Sequence, residues 1–589
     1  MKVFLNFSDV AYFPDEEILF RINVRGAKQG ETVHFKVLKD STKEVFSQDY
    51  YIPLPEFFIE DSLESLEEGF YDAYVIWNDL VTSLPFVVLS PDRVKGKLLT
   101  VFHNHQALNK YPNGIYHSPW AFTHTWEDEF KPYYRGGVYF LHTFLLEKKP
   151  VKICFNLSPS LLLQWKEAVE KGVLLEWDSN IEYVSPKDER VQIIKDTLSG
   201  YRRLNRENVI EIFSSFFAHP IAGYLIDHYG WLDIVEEEVK LGAEVTKSIL
   251  DTEAQGFWVS ELFFSMKLVP VLSKYNYRYI VLDSLHHFIE SLGDKRTPYE
   301  PYKVEYGGGE LIVFFRDTSL SDYISFQLNK AKSLQEADAN ARRYTLNILK
   351  LMMGDEEKIV TVALDGENWM ILPHPSPKAA VAYEKLLTYI LSCERKGYFK
   401  CVLAREVADL AERKLKKIPA TTWLGSIAKW TTERPAVQGR LWKLAEQAYN
   451  LLKIYEEIFS KEEKYGHLLH CIMQILDSDM YWTEFINEDH VVSWYNELTE
   501  NILPKLNLLR VKRIEKENGD VFVEIESPLR GEIILRIQVD GTKMLQKIVK
   551  LNAGINIFKE SIQGNVVEAR ILTPISLCPI GKPVYARCR

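Results

Sequence analysis

Several features that would assign a protein to a broad class are scarce or absent in this sequence. The six cysteines are scattered along the chain, at Cys154, Cys393, Cys401, Cys471, Cys578 and Cys588. No C-x-x-C pair occurs, so neither a disulfide scaffold nor a cysteine zinc site is expected. No uninterrupted apolar run approaches the roughly 18 to 20 residues that a membrane-spanning helix needs. We therefore expect no membrane partner.

A basic surface field and a secretion signal are also missing. The formal net charge is -11, which would repel phosphates, so nucleic acid is not an expected partner. A neutral or cationic ligand is easier to accommodate. Residues 1–20 alternate between apolar and polar side chains, reach an acidic cluster early and lack a small-residue cleavage site. This pattern argues against a signal peptide, and we expect a soluble, cytoplasmic protein.

The composition that remains is that of an ordinary globular protein, with 46% hydrophobic and 26% charged residues. At 589 residues the chain exceeds the size of one hydrophobic core, which predicts several domains. Residues 1–95 contain short runs with a period of two, such as EILFRINV at 17–24 and FYDAYVIW at 70–77. Such alternation predicts a small antiparallel β-sandwich.

After residue 96 short apolar strands alternate with longer segments, among them a helix candidate at 233–252. The seven strand segments are LLTVFHNHQ, VKICFNLSPS, IEIFSSFFAHP, GFWVSE, RYIVLDSLHH, LIVFFRDTSLSD and KIVTVALDGEN. This order is typical of parallel strands with helical crossovers, buried on both faces. We predict a seven-stranded (β/α)7 barrel, incomplete or nearly closed, at 96–378. A helical domain that completes the active site is predicted at 379–508, and a second small β-sandwich at 509–589.

Each predicted strand ends in polar residues, and the carboxyl ends of barrel strands converge on one face. These residues are His103, His105, Gln106, His219, Glu261, Asp283, Arg316, Asp317, Asp365 and Glu367. Ionisable groups at the tips of buried strands cost free energy, which indicates a functional use.

Two of these carboxylates, Glu261 and Asp365, come from different strands. A pair of carboxylates is the minimum equipment for cleaving a glycosidic bond, because one protonates the leaving oxygen while the other attacks or directs water. Trp258 lies three positions before Glu261, and Trp369 lies four positions after Asp365. Flat apolar side chains beside acids suit the faces of sugar rings. A salt bridge and a core position are the simpler interpretations of a single carboxylate and a single tryptophan.

The stretch FHNHQ allows a different interpretation. His103 and His105 are two positions apart, so their side chains point the same way on an extended strand. With a nearby carboxylate they could bind a divalent metal, but two histidines are only part of a metal site. A hydrogen bond to a substrate hydroxyl and a purely structural role are the alternatives. We predict substrate binding, with no metal and no other cofactor.

Several segments together resemble glycoside hydrolase family 57. In chain order they are HNHQ (103–106), VKICFNLSPSLLLQW (151–165), AHPI (218–221), GFWVSE (256–261), FRDTSLSDYISF (315–326), LDGENW (364–369) and DSDMYW (477–482). The first departs from the usual HxHQP form at Ala107. A looser match to a helical-domain motif lies at 425–442. The resemblance runs from about residue 100 to 482 and implies a retaining enzyme that acts on α-glucans with an incomplete seven-stranded barrel.

The resemblance also implies roles for individual residues. Glu261 would be the nucleophile and Asp365 the general acid/base. By the same resemblance, His103, His105, His219 and Asp479 are candidates for holding the sugar that reacts. The further residues predicted to bind substrate are Gln106, Trp258, Asp317, Glu367, Trp369 and Trp482. The expected substrates are α-1,4-linked glucans such as starch, glycogen and maltodextrins, with α-1,6 links as a further candidate.

Three alternatives remain open at this stage. The first is an α-glucan transferase of the same family, either a 4-α-glucanotransferase or a branching enzyme. The second is a zinc-dependent barrel enzyme, such as a sugar deacetylase or α-mannosidase, that uses the histidines as ligands. The third is a non-catalytic glucan-binding protein, because a fold can outlive its chemistry. The sequence sets no oligomeric state.

Overall fold

The computed structural model describes residues 2–178, 180–459 and 465–587, so that Cys588 lies outside the described residues. The chain divides into two compact units. The first unit comprises Met1–Asn109 and Tyr116–Ser426, and the second comprises Lys110–Ile115 and Ile427–Arg589. Within the described ranges, no helix combines the length and the apolar character needed to cross a membrane.

The first unit begins with eight strands. They are β1 (Lys2–Phe7), β2 (Ala11–Tyr12), β3 (Ile18–Arg25), β4 (Thr32–Lys39), β5 (Lys43–Tyr51), β6 (Glu56–Leu63), β7 (Gly69–Trp77) and β8 (Leu80–Val88). One sheet has the order β1-β3-β6 and the other the order β2-β8-β7-β4-β5. Alternate side chains of both sheets enter one apolar cluster, in which the rings of Phe20 and Phe35 stack with centroids 4.2 Å apart.

The rest of the first unit mixes strands and helices. The strands are β9 (Gly96–Asn104), β10 (Ile115–Tyr116), β11 (Ile153–Leu157), β12 (Val173–Trp177), β13 (Asn180–Val184), β14 (Ile210–Ser215), β15 (Gly256–Trp258), β16 (Tyr279–Asp283), β17 (Leu292–Gly293), β18 (Tyr302–Tyr306), β19 (Gly309–Arg316), β20 (Lys358–Asp365), β21 (Lys400–Val402) and β22 (Arg413–Lys417). The α-helices are α1 (Trp120–Trp126), α2 (Val138–Lys148), α3 (Pro159–Glu170), α4 (Glu189–Arg206), α5 (Ala222–Tyr224), α6 (Leu232–Leu250), α7 (Leu268–Lys274), α8 (Thr318–Phe326), α9 (Leu334–Met352), α10 (Asn368–Ile371), α11 (Pro377–Arg395) and α12 (Ala404–Val407).

Parallel pairings join seven of these strands to one another in a series. Strand β9 pairs with β11, β11 with β14, β14 with β15, and β15 with β16. Strand β16 pairs with β19, β19 with β20, and β20 again with β9. The pairings therefore return to the strand from which they began. The predicted α/β class with parallel strands is confirmed, and the carboxyl ends of all seven strands lie at one edge.

Residues 379–426 belong to the first unit, although their helical pattern predicted that they begin a separate domain. Helix α11 buries nine of its side chains, including Tyr383 and Leu386, in the same apolar cluster as the parallel strands. Strand β21 then pairs in parallel with β9. The apolar face of a helix does not specify what it packs against. Here α11 packs against the core that the parallel strands form. The division between the units therefore falls after Ser426.

The second unit contains helices and two antiparallel sheets. The helices are α13 (Ala428–Thr431), α14 (Pro435–Phe459), α15 (Tyr465–Ile475) and α16 (Glu488–Leu508). The strands are β23 (Arg510–Glu517), β24 (Asp520–Ser527), β25 (Gly531–Val539), β26 (Lys543–Leu551), β27 (Gly554–Ser561), β28 (Val566–Leu572) and β29 (Pro579–Arg587). The sheets have the orders β23-β24-β27 and β26-β25-β28-β29. Glu457 of α14 accepts hydrogen bonds from the backbone N–H groups of Ile575 and Ser576, so helices and strands share this unit.

A buried arginine joins the N-terminal strands to helix α9. The Arg342 guanidinium donates to the carbonyl oxygens of Asp9 and Phe7 at 2.5 and 3.0 Å. Its Nε lies 3.4 Å from Asp338 Oδ1, and its Cζ lies 4.6 Å from the ring centroid of Tyr389. The side chain is fully buried. Removing one member of such a buried group leaves the charges and polar atoms of the others without a partner.

We expect Arg342→Met to weaken the N-terminal strands by about 3 to 5 kcal/mol, because Asp338 loses its paired charge and two carbonyl groups lose their donor. Hydrogen exchange of the amides in β1 and β3 measures this loss as a fall in opening free energy. The matched control is Arg343→Met at the adjacent, exposed position, which should change the opening free energy by about 0.5 kcal/mol or less. Equal losses in both variants would contradict the role of Arg342.

Candidate active site

The strand pairing brings several predicted site residues to neighbouring positions. His103 near the end of β9 is paired with Asp365 at the end of β20. On its other side His103 is paired with Asn156 of β11. Asp283 at the end of β16 is paired with Arg316 at the end of β19. Because parallel strands share the direction of their carboxyl ends, these side chains occupy one edge of the sheet.

Hydrogen bonds determine which ring nitrogens of two histidines carry protons. The Asn156 amide N–H donates to the Phe213 carbonyl oxygen at 3.1 Å, which leaves Asn156 Oδ1 to accept from His103 Nδ1 at 2.7 Å. The neutral His103 ring then has its lone pair on Nε2. His219 Nε2 lies 3.0 Å from that atom and is therefore the donor. This arrangement leaves His219 Nδ1 as the nitrogen that faces Glu261.

Four rings lie nearly parallel at this edge. The Trp258 and His103 rings have centroids 4.6 Å apart at an interplanar angle of 7°. The His105 and His219 rings have centroids 3.9 Å apart at 17°, and the His103 and His219 rings lie 5.0 Å apart at 16°. Burial, together with the neighbouring His103, holds the pKa of His105 well below its ordinary value. His105 is therefore neutral at pH 7.

Glu261 lies in a turn with an uncommon backbone conformation. Its φ is 54°, and the φ of Leu262 is 51°, whereas side chains other than glycine rarely adopt positive φ. The Glu261 side chain is 16% exposed, and its Oε1 lies 4.0 Å from His219 Nδ1. His219 also has a positive φ, of 59°. Strained residues of this kind cluster at functional sites.

Trp423 is a site residue that the sequence analysis missed. Its indole Nε1–H donates to Glu261 Oε2 at 3.0 Å, and its backbone N–H donates to the Glu261 carbonyl oxygen at 3.1 Å. The segment around Trp423 is anchored by His287, whose Nδ1 accepts from the Asp283 N–H at 3.2 Å. The His287 Nε2–H therefore donates to the Thr421 carbonyl oxygen, at 3.0 Å. The only local signal was one tryptophan in the polar stretch TTWLG.

Asp365 is exposed at the tip of β20. Its Oδ2 accepts a hydrogen bond from the Asn368 amide at 2.8 Å. Gly366 follows in a place without room for a side chain, because an added Cβ would lie 2.0 Å from Asn104 Oδ1. The Gly366 N–H donates to the His103 carbonyl oxygen at 2.7 Å. This close backbone contact fixes Asp365 relative to the histidines.

Two predicted binding residues support the backbone of this edge. Glu367 is buried, and its Oε1 accepts from the His105 backbone N–H at 3.1 Å. Gln106 is also buried, and its carbonyl oxygen accepts from Ser160 Oγ at 2.9 Å. These contacts hold the chain that carries His105. Their predicted contact with a substrate stays a prediction.

Two other predicted binding residues have different surroundings. Asp317 caps helix α8, because its Oδ1 accepts from the Leu320 N–H at 2.7 Å, while its Oδ2 accepts from the Tyr299 hydroxyl at 2.8 Å. Trp369 is 3% exposed and packs edge-on against Tyr383 with ring centroids 5.8 Å apart. Core packing of Trp369 leaves almost no surface for a sugar ring, which differs from the stacking role predicted for it.

Asp283 and Arg316 form a buried ion pair rather than presenting two separate charges. Arg316 Nε lies 2.7 Å from Asp283 Oδ2, and Arg316 Nη1 donates to the Ala363 carbonyl oxygen at 3.0 Å. The guanidinium Cζ also lies 6.0 Å from the ring centroid of Trp423. The pair therefore supports the ring that donates to Glu261.

The last two predicted binding residues belong to the second unit. Asp479 lies in the 3-10 helix Ser478–Tyr481, where its backbone N–H donates to Asp477 Oδ1 at 3.0 Å. Trp482 follows that helix, and its ring meets the ring of Trp430 at a centroid distance of 4.8 Å. Their predicted participation in the site stays a prediction.

The zinc alternative can be tested against the donor atoms. Zinc binds the lone pair of a neutral imidazole nitrogen. The lone pair of His103 Nε2 accepts from His219 Nε2, and His103 Nδ1 is committed to Asn156. A metal ligated by His103 would therefore have to displace an existing hydrogen bond. This arrangement favours His103 as a hydrogen-bonding group.

The chain is similar in sequence to known proteins. The chain is 27% identical over 275 residues to an α-amylase from Pyrococcus furiosus, in a match that covers 46% of this chain and 33% of the relative. It is 24% identical over 275 residues to a 4-alpha-glucanotransferase from Thermococcus litoralis, with coverage of 46% and 32%. The chain thus matches about a third of the length of these curated relatives.

Among solved structures, the α-amylase AmyC from Thermotoga maritima has a TM-score of 0.49 and 13% identity, with coverage of 70% of this chain and 93% of that chain. The model of the family described as "Glycosyl hydrolase family 57" matches residues 99–420. This range contains most of β9, the other six parallel strands and the residues His103, His105, His219, Glu261 and Asp365. Because the match covers more than half of the chain, the protein belongs to glycosyl hydrolase family 57.

Proposed function

We propose that the protein is a retaining glycosidase that cleaves α-1,4-linked glucans, with Glu261 as nucleophile and Asp365 as general acid/base. We further propose that the closed cycle of seven parallel strands is a (β/α)7 barrel. The observation that carries the functional proposal is a chain of contacts. Asp365 is paired with His103, His103 is hydrogen-bonded to His219, and His219 faces Glu261.

In the first step Glu261 attacks the anomeric carbon while Asp365 protonates the departing glycosidic oxygen. The bond between carbon and glycosidic oxygen breaks as the bond to a Glu261 oxygen forms. Trp423 donates a hydrogen bond to Glu261 Oε2, which favours the ionised carboxylate. It also fixes the direction of the carboxylate.

In the second step Asp365, now ionised, takes a proton from water, and the water oxygen displaces Glu261 from the anomeric carbon. Two inversions restore the original configuration. The exposure of Asp365 supports this role, since the residue must exchange a proton with the leaving group and with water. A retaining mechanism requires carboxyl groups about 5 to 5.5 Å apart.

Glucan transfer is a second candidate, because one curated relative is named a 4-alpha-glucanotransferase. Transfer and hydrolysis share the covalent intermediate and differ in whether a sugar or water accepts it. Incubation with maltoheptaose distinguishes them. Hydrolysis raises the number of reducing ends, whereas transfer gives longer and shorter chains and leaves the number of reducing ends constant. Inclusion of a chelator tests the zinc alternative, and parallel assays on amylose and pullulan test for α-1,6 cleavage.

We expect Glu261→Gln to lower kcat on soluble starch by about 10³-fold or more, because an amide keeps the shape of the side chain but cannot attack carbon. Reducing-end release measures the change, and thermal unfolding checks that the fold is intact. The control Glu253→Gln removes an exposed carboxylate before β15 and should leave kcat unchanged. Activity of Glu261→Gln near that of the wild type would exclude Glu261 as nucleophile.

We expect the loss of activity in Asp365→Asn to depend strongly on the leaving group of the substrate. Loss of the acid should lower kcat/KM by about 10²-fold or more on starch and far less on an aryl maltoside with an acidic phenol, because that phenol leaves without protonation. The comparison uses the two substrates on one enzyme preparation. Asp355→Asn, at an exposed position before the start of β20, is the control. An equal loss on both substrates would contradict the role of Asp365 as acid.

A further inference from the structure

Helix α6 lies against a segment that comprises the end of β14 and the residues that lead from it to His219. Three residues spaced by four, Glu238, Gly242 and Thr246, form the face that meets this segment. A Cβ at Gly242 would lie 2.1 Å from the Ser215 carbonyl oxygen, so glycine permits the close approach. Thr246 Oγ1 lies 2.9 Å from Ser214 Oγ. The helix is therefore in contact with the segment along two full turns.

Glu238 contacts the chain directly before His219. Its Oε2 accepts from the Ala218 backbone N–H at 2.8 Å, and its carbonyl oxygen accepts from the Phe217 N–H at 3.1 Å. Two successive N–H groups are thus satisfied by one helical residue. The next residue is His219, whose positive φ of 59° needs support from its surroundings.

The carboxyl group of Glu238 has unusual surroundings for a residue on a crossover helix. The residue is fully buried, and its Oε1 has no hydrogen-bond partner among the described residues. Burial raises the pKa of Glu238 to about 8, although the N–H groups of Ala218 and Phe217 act in the opposite direction. The group is therefore protonated at pH 7 and acts as a neutral acceptor. An apolar side chain would be cheaper to bury if packing were its only role.

We propose that Glu238 is a positioning residue that fixes the backbone of residues 217–219 and thereby holds His219 against Glu261. The proposal rests on the proposed function of Glu261. Its physical basis is that the side chain of His219 can face Glu261 only while the peptide before it keeps its orientation. The hydrogen bond from Ala218 to Glu238 sets that orientation.

The test compares three variants at a temperature well below unfolding. Glu238→Leu removes the acceptor, Glu238→Gln keeps a neutral acceptor of the same shape, and Thr246→Val removes the other side-chain hydrogen bond of the same helix face. We expect Glu238→Leu to lower kcat on soluble starch about 10- to 100-fold with a change in KM below about threefold, since the reacting group and not the substrate contact is displaced. Glu238→Gln should retain kcat within about threefold.

The control Thr246→Val should lower the melting temperature and retain kcat. A purely structural role of Glu238 predicts that kcat follows the melting temperature in all three variants, and that result would overturn the proposal. The proposal would also be overturned if Glu238→Gln lowered kcat as much as Glu238→Leu does. If Glu238→Leu does not fold, Glu238→Asp replaces it, because the shorter side chain withdraws the carboxyl from Ala218.

A second readout does not depend on activity. Nitrogen-15 NMR of the histidine rings reports which nitrogen of His219 is protonated. In the wild type we expect the Nε2-protonated form, and we expect Glu238→Leu to shift the His219 signals while Thr246→Val leaves them unchanged. Unchanged His219 signals in Glu238→Leu would overturn the positioning role. A wild-type enzyme inactive on all glucans would instead refute the proposed function, and the NMR result would still decide the role of Glu238.

Discussion

The hydrogen bond between the Nε2 atoms of His103 and His219 is the contact on which the candidate site depends. His103 lies on the strand paired with that of Asp365, and His219 is the group that faces Glu261. One bond of 3.0 Å thus connects the surroundings of two carboxylates 104 positions apart in sequence. Asn156 fixes the direction of this bond, since its Oδ1 can only accept. The placement of the two acids therefore depends on the hydrogen bonds among Asn156, His103 and His219.

Among the described residues, Arg316 and His142 add no unpaired positive charge beside the proposed nucleophile Glu261. Arg316 is paired with Asp283 at 2.7 Å, and burial lowers the pKa of His142 behind the Asp365 turn to about 3. The uncharged indole of Trp423 is in hydrogen-bond contact with Glu261. Arg316 acts on this contact through the ring of Trp423.

The elements that were predicted correctly carry their signal locally. An apolar run that ends in polar residues identifies a buried parallel strand and its carboxyl end, as in the stretch that leads to Asp365. The cap at Asp317 was not predicted, although an aspartate before a helix is a common N-cap. The contact of Trp423 with Glu261 and the choice between core and sugar-binding positions for Trp369 had no sufficient local signal, since each depends on which distant segment packs beside it. The same reason explains the unit boundary, because the apolar face of α11 specifies burial but no partner.

The segments that pack beside His219 and Glu261 matter because both residues have strained backbone conformations. His219 and Glu261 both have positive φ, and a strained conformation persists only when its surroundings hold it. The peptide before His219 is held by Glu238 of α6, and Glu261 is held by both the backbone and the indole of Trp423. Neither support comes from the seven strands. The strands bring the acids to one edge. The precision of their placement comes from helix α6 and from the segment around Trp423, which lies some 60 residues after the end of β20.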